Sequence, residues 1–327
     1  MTQLNRDRIV AIVVTYQPEL EILEQLLDAL AAQVEFTVII DNGSKLDLQT
    51  WNIQRQRSAV EVILTCEHLG IAAAHNMGIQ WALSRGAEYV LLMDQDSIPK
   101  PDMVQKLTFA LSGASKNFDA PAIAAGPISI DMRTGNKSFF VTERHGIPAR
   151  WGPELASLTF NSTREVRTLI SSGTLINLKF FKSVGGMRSN YFIDHVDTEW
   201  CFRVKAKGYI LLGVADAFMS HTLGDKVKNI WFFGWRHVAY HSPLRDYYMF
   251  RNTLLMCRDV QMSLMWRSHL TLRIFKFLGY FLLFTPQRVH RFYCMALGVA
   301  HGLRGISGKV DLKTGQCTQI LKSDLDP

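Results

Sequence analysis

Cysteine is scarce and unpatterned in this chain. Its five residues, Cys66, Cys201, Cys257, Cys294 and Cys317, are odd in number, scattered and without a Cys-x-x-Cys pair. That argues against a disulfide framework or a zinc site and for a reducing compartment. Long apolar runs are missing too. Uncharged runs in the C-terminal part, such as Phe277 to Gln287, are too short to span a bilayer, and the opening MTQLNRDR lacks the apolar core of a signal peptide. A cytoplasmic protein is expected. No Gly-x-Gly-x-x-Gly follows the first predicted strand, which disfavours a nicotinamide or flavin dinucleotide site. Acid is nearly absent from one stretch: between Arg251 and Lys309, nine Lys or Arg meet a single acid, Asp259. That stretch carries +8 in a chain of net charge +7, so the basic character belongs to the C-terminal part.

What is present is strand alternating with helix. With 327 residues the chain can hold one large α/β domain plus an appendage, or two small domains. Arg8–Thr15 is a β-branched run of the kind buried on both faces of a parallel sheet. Glu19–Ala32 follows with leucines at helical spacing. Thr37–Ile40, Glu61–Thr65 and Tyr89–Met93 read as further strands, Gly70–Arg85 and Pro101–Ser112 as helices. This pitch predicts a Rossmann-like, mostly parallel sheet flanked by helices. Strands are also expected at Ala122–Ala125, Ser138–Thr142 and Thr168–Leu178, the last interrupted by Ser171-Ser172-Gly173. Such a break lets backbone approach a ligand, and a plain β-bulge explains it equally well.

Polar turns end several strands. Thr15-Tyr16 ends the first, Asp41-Asn42-Gly43 the second, and Asp94-Gln95-Asp96 the strand from Tyr89. In open α/β sheets, ligands bind beyond the carboxyl ends of the strands. Asp-x-Asp offers hard oxygens suited to Mg2+ or Mn2+ bridging to a diphosphate, although a solvated turn has the same composition. Asp41-Asn42-Gly43 likewise suits a ribose or base edge, or simply a tight turn. A second acidic cluster holds Asp194, Asp197 and Glu199 between aromatics, ahead of a short helix ending near Gly208. Clustered carboxylates make one of them a candidate general base; acids in a first helical turn also suit the helix dipole. After a strand at Tyr209–Val214, a loop carries His221, a candidate third metal ligand or a structural histidine.

Taken in order, TYQP, DNGS, HLGIAAAHNMGI, MDQDS, ISSGTLI, FIDHVDTEW and SHTLG resemble the family-2 glycosyltransferases with the GT-A fold. MDQDS together with SPLRDYYMFRN looks like their bacterial rhamnosyltransferase branch. The similarity covers roughly residues 8–252. It implies an inverting, metal-dependent transfer of L-rhamnose from a nucleoside-diphosphate donor, dTDP-L-rhamnose first, to a saccharide or lipid-linked saccharide such as O-antigen. A UDP-hexose or galactofuranose donor is the alternative, as is a catalytically silent nucleotide-sugar-binding scaffold. It implies that Thr15, Tyr16 and Pro18 border the base, that Asp41 and Asn42 bind base or ribose, and that Gly70 and Asn76 line the nucleotide pocket. Asp94, with Gln95, and Asp96 would hold a divalent cation, Mg2+ or Mn2+, on the donor diphosphate, with His221 as third ligand. Ser172 and Gly173 would approach the donor. Asp197 would be the base, with Asp194 in reserve and Glu199 beside it. The family commonly has Asn where this chain has His68, and an acid where it has Val196.

The expected division is a catalytic domain at 1–228 (a nucleotide half to about 100, an acceptor half from 101) and a helical, basic and aromatic C-terminal extension at 229–327. Arg245 and Arg251 match phosphate oxygens as a lid, or snorkel from a packed helix hairpin. From Met262 to Val299, apolar residues alternate with Arg267, Arg273, Lys276, Arg288 and Arg291. That pattern suits the anionic inner face of a plasma membrane, with a homodimer interface as the alternative. Nucleic acid is not an expected partner, because the basic residues are interleaved with long aliphatic runs. Deletion beyond Lys309 is expected to be mild.

Overall fold

The computed structural model describes residues 8–144, 146–154, 162–221, 226–231, 235–320 and 325–326. Strand β1 (Ile9–Thr15) is buried along its whole length. Val10, Ile12 and Val14 join one hydrophobic core, while Ile9, Ala11 and Val13 join a second. This period-two partition is what a strand covered on both faces must show. Helix α1 (Leu20–Ala31) buries Leu23, Leu26, Leu27 and Leu30 at the i, i+3, i+4, i+7 spacing of one helix face.

Parallel strands β2 (Phe36–Asp41), β3 (Val60–Leu64) and β4 (Tyr89–Asp94) join β1 in the order β3-β2-β1-β4. Between them lie α2 (Leu48–Gln54), which the sequence reading missed, and α3 (Ile71–Ser84). Helix α3 is lined with Ala and Gly because it sits close on the sheet. A Cβ on Gly78 would lie 2.3 Å from an Ile12 methyl group.

The sheet has nine strands and continues through β10 (Leu175–Asn177), β6 (Ala122–Asp131), β11 (Ile210–His221) and β5 (Ser97–Pro99). Strand β10 runs antiparallel to both neighbours, and β9 (Thr163–Val166) pairs antiparallel with β11. Several expectations need correcting here. Ser97-Ile98-Pro99, directly after the strand-end acids, is a short strand on the sheet edge. The strand expected over Thr168–Leu178 shrinks to β10, because Leu178 already starts α5 (Leu178–Val184), capped by the Asn177 side chain. Helix α4 (Met103–Asn117) runs past Ser112, and β11 runs on from Val214 to His221.

An antiparallel hairpin, β7 (Phe140–Arg144) with β8 (Ile147–Trp151), and a second, β12 (Lys226–Trp231) with β13 (Trp235–Tyr240), lie off the main sheet. Residues 222–225, Phe232 and Phe233 fall outside the described residues. Helix α6 (Val196–Ala206) precedes β11. The C-terminal part forms α7 (Pro243–Asp259), with Pro at its start, then α8 (Leu264–Phe284), α9 (Arg288–Arg304) and a small hairpin, β14 (Lys309–Val310) with β15 (Cys317–Thr318). Among the described residues, no helix is long and apolar enough to cross a membrane. Contacts run across the expected boundary after residue 228: Tyr248 of α7 stacks on Phe192 at 5.0 Å, and Asn252 bonds the backbone at Tyr191, Ile193 and Asp194.

Candidate functional site

Strand β1 lies between β2 and β4, where the order of the parallel strands reverses. That switch point opens a crevice beyond their carboxyl ends. Register pairs Thr15 with Asp41 and Val14 with Asp94, so the three polar turns are brought to one edge. Thr15 Oγ1 donates to Asp41 Oδ1 at 2.9 Å, and Ser44 gives its backbone N–H to Oδ2 at 3.0 Å. The backbone N–H of Asn42 bonds Thr15 O at 2.7 Å, and its side-chain oxygen accepts Leu69 N–H at 2.8 Å. Pro18 is buried behind the turn, and the exposed Tyr16 ring meets His68 edge-on at 4.6 Å. His68 in turn lies 5.1 Å from Phe192. Gly70 caps α3 with φ +87°, and a Cβ there would stand 2.6 Å from Phe192 O.

The metal side is assembled by β5. It pairs antiparallel with the end of β11, setting Ser97 opposite His221. Two motifs 124 residues apart thereby meet, and Ser97 Oγ lies 2.7 Å from His221 Nδ1. Asp94, Asp96 and His221 each place a ligand atom within 4.8 Å of the others. Asp94 N–H donates to Ser172 Oγ at 3.1 Å, and Ser172 donates to Ser97 Oγ at 2.8 Å. Ser97 thereby fixes the orientation of the His221 ring, as an outer-shell partner does for a ligand histidine. Gly173 turns at φ +80° and donates to Leu92 O at 2.7 Å. Burial first, and then the charges of Asp96 and Asp197, push the Asp94 carboxyl up to about 6, against the relief given by His221 and Arg245. Two crowded carboxylates and an imidazole fit a hard divalent cation, which would relieve their mutual repulsion.

The second acidic cluster is a strained turn. Phe192, Asp194 and His195 have φ of 66°, 61° and 61°, each costing about 1–3 kcal/mol in a non-glycine residue. Helix α7 holds it in place. Arg245 grips Asp194 with two N–H groups at 2.6 and 3.3 Å, Asn252 Nδ2 donates to three carbonyls, and Thr253 Oγ1 lies 2.9 Å from His195 Nε2. Asp197, in the first turn of α6, accepts from Thr198 N at 2.6 Å and from the Thr198 hydroxyl at 3.2 Å. Burial, aided by Asp194, raises its carboxyl above the usual range against those hydrogen bonds.

Three expected site residues serve the frame instead. Glu199 is fully buried and held by Arg188 at 2.8 Å and by Arg203 at 2.8 and 3.0 Å. Both its carboxylate oxygens are thus taken up by neighbouring arginines. Asn76 is fully buried, exchanging bonds with Met187 N and O and donating to Asp326. Arg251 is fully buried and donates to the carbonyls of Gly308, Asn190 and Tyr191. Its guanidinium is thus enclosed by backbone carbonyls, whereas Arg245 lies against Asp194. Sequence reasoning also missed Ser97, His195 and Thr253, none of which has a distinctive spacing.

The basic C-terminal segment divides. Arg267, Lys276 and Arg288 are exposed. Arg291 is 1% exposed and ion-paired with Asp246, and Arg273 points inward to His195.

The sequence profile of "Glycosyl transferase family 2" matches residues 10–175. The dTDP-rhamnosyl transferase RfbF of Shigella flexneri is 31% identical over 308 residues, covering 92% of this chain and 97% of that protein. Among solved structures, residues 1–349 of S. aureus TarS in complex with UDP-GlcNAc share 14% identity with a TM-score of 0.55, covering 91% of this chain and 81% of that one. GalNAc-T7 with UDP, GalNAc and Mn2+ shares 15% identity with a TM-score of 0.53, covering 66% of this chain and 44% of that one. At these identities the structural likeness shows the fold.

Proposed function

Because the chain belongs to glycosyl transferase family 2, we propose that it transfers L-rhamnose from dTDP-L-rhamnose to a saccharide acceptor, with inversion at the anomeric carbon. The observation that carries the chemistry is the convergence of Asp94, Asp96 and His221 on one edge of the crevice, with Asp197 on a separate turn close enough to act on Asp94's charge. The donor sugar rests on the 31% identity to a dTDP-rhamnosyl transferase along nearly the full length of both chains.

Thr15, Tyr16 and Asp41 border the nucleotide, and Arg245 lies on the side of the leaving diphosphate or acceptor. The acceptor hydroxyl attacks in line. Its oxygen bonds to the anomeric carbon as the bond to the diphosphate oxygen breaks, and its proton passes to Asp197. Such a base contributes about 10²–10⁴-fold. Asp197 is favoured over Asp194 because Asp194 is committed to Arg245. A bound Mg2+ or Mn2+ supplies charge neutralisation on the departing nucleoside diphosphate.

The acceptor is taken to be lipid-linked, with the enzyme peripheral on an anionic membrane face. Support comes from α8 and α9, where Leu272, Phe275, Leu283 and Val289 stand 60–86% exposed beside Lys276 and Arg288. An apolar face rimmed by cations suits such a surface.

Calorimetric binding of a nucleoside-diphosphate-sugar panel, with Mg2+ or Mn2+ and then with chelator, tests the reading. Metal-dependent preference for dTDP-rhamnose is expected. Tighter binding of a UDP-sugar would overturn the rhamnose assignment, and no metal-dependent binding would overturn the transferase reading.

A further inference from the structure

Helix α8 buries Trp266, Leu270, Ile274 and Phe281 on one side and turns Leu272 and Phe275 outward. Arg273 sits at the boundary between these faces. Its guanidinium reaches inward, with Nη2 3.3 Å from His195 Nε2, and lies over Phe277 at 5.6 Å. The carboxylates that act on its charge are Asp197 and Asp194. Burial first, and then Arg273 itself, push the His195 imidazole down to about 3. Burial and Arg273 together favour the neutral ring, whose Nε2 faces both the Arg273 guanidinium and, at 2.9 Å, the Thr253 hydroxyl.

His195 caps α6 in the left-handed region and accepts Glu199 N–H at 2.9 Å through its carbonyl. Its backbone therefore sets where α6 begins, and Asp197 follows two residues later. Arg245, Asn252 and Thr253 secure this turn from α7. Arg273 adds a tether from a different helix, one whose opposite face is open. An outward-facing helix has no need of a cation aimed inward at a neutral ring, and an apolar side chain would fill the same boundary without the cost of desolvating charge.

We propose that Arg273 is a positioning residue: by holding His195 it fixes the Asp194–His195 turn, and so aims Asp197 at the acceptor hydroxyl. The inference rests on Asp197 being the base. The role ties the outer helix to the reacting centre without direct contact with either substrate.

The experiment uses the full-length enzyme with Arg273→Met, Arg273→Lys, His195→Gln and the Arg273→Met/His195→Gln double variant, each assayed for kcat and both KM values. Arg273→Met should lower kcat by about 10²-fold, the loss expected when a reacting group is misplaced by an ångström, with both KM values little changed. Arg273→Lys keeps a charged N–H donor and should recover most of the rate. The double variant should be no slower than the worse single variant, since residues acting through one contact are not additive. A raised acceptor KM with unchanged kcat, or additive losses, would overturn the proposal in favour of direct acceptor binding. Equal slowing of the Met and Lys variants with equal loss of heat stability would overturn it in favour of packing. Asp197→Asn is run alongside: turnover retained there sinks the base assignment itself, whereas loss there beside an unaffected Arg273→Met sinks only the positioning role.

Discussion

Ser97 Oγ stands 2.7 Å from His221 Nδ1 and 2.8 Å from Ser172 Oγ, so a buried serine links the third metal-site residue to the backbone of the first. Removing it leaves Asp94, Asp96 and His221 present but frees the imidazole to rotate. Ser97→Ala should weaken metal affinity about 10–100-fold, the usual cost of losing an outer-shell partner. Mn2+ titration of donor binding reads this directly, and unchanged affinity would mean that His221 is oriented by something else.

Asp197→Asn should cut turnover by about 10²–10⁴-fold while metal-dependent donor binding persists. Asp194→Asn should disturb Arg245 and slow the enzyme less. The reverse order of severity would transfer the base role to Asp194.

The acid side of the kcat/KM profile follows from Asp197. Its folded pKa is raised by burial and by Asp194, and a base works only when deprotonated. Activity should therefore begin to fall, as pH is lowered, above the range of an ordinary carboxylate near 3.9. A profile flat down to that range would show that the acting base is not a buried carboxylate. The same group has a sign for stability: a carboxylate with a raised folded pKa stabilises the fold below its unfolded pKa, and that contribution is lost as pH rises through the folded value.

The basic residues of α8 and α9 should separate into two groups. Lys276→Gln and Arg267→Gln should each weaken sedimentation with anionic vesicles by about 1 kcal/mol and leave heat stability intact. Arg291→Met strands the buried Asp246 carboxylate and should instead cost about 3–5 kcal/mol of stability. Vesicle binding lost only in the Arg291 variant would contradict both the surface and the packing account.

Truncation after Lys309, expected from sequence to be mild, should be costly. It removes the Val310 N–H bond to Tyr248 and the Asp326 carboxylate that receives Asn76 and Ser189. With each buried bond worth about 1 kcal/mol net, thermal denaturation should reveal a clear loss, and an unchanged melting temperature would return the tail to the dispensable class.

The β-branched run of β1 and the abrupt acids after Met93 were legible because a two-face-buried strand and a polar strand end leave local composition signals. The meeting of Asp94 and Asp96 with His221 was not readable from periodicity, because it depends on the three-residue β5 pairing with a strand more than a hundred residues away. The resemblance to a family stood in for that long-range contact. The burial of Arg251 and Glu199 was not legible for a single reason: a charged residue in a motif looks the same in sequence whether it meets a ligand or is tied to buried protein groups. Arg273 was hidden by the same ambiguity, as one basic residue in a row of five, and its direction is set by the packing of α8.

Gln95, the middle residue of Asp94-Gln95-Asp96, gives its side-chain oxygen to Tyr16 N–H at 2.7 Å and its side-chain N–H to Tyr16 O at 3.2 Å. The turn proposed to bear the cation and the turn proposed to border the nucleotide are thus joined directly. On that proposal, a ligand that orders one turn orders the other, and thermodynamic reciprocity then requires each ligand to tighten the other by the same factor. The proposal therefore carries a heterotropic coupling of cation and nucleotide through the residue between the two aspartates.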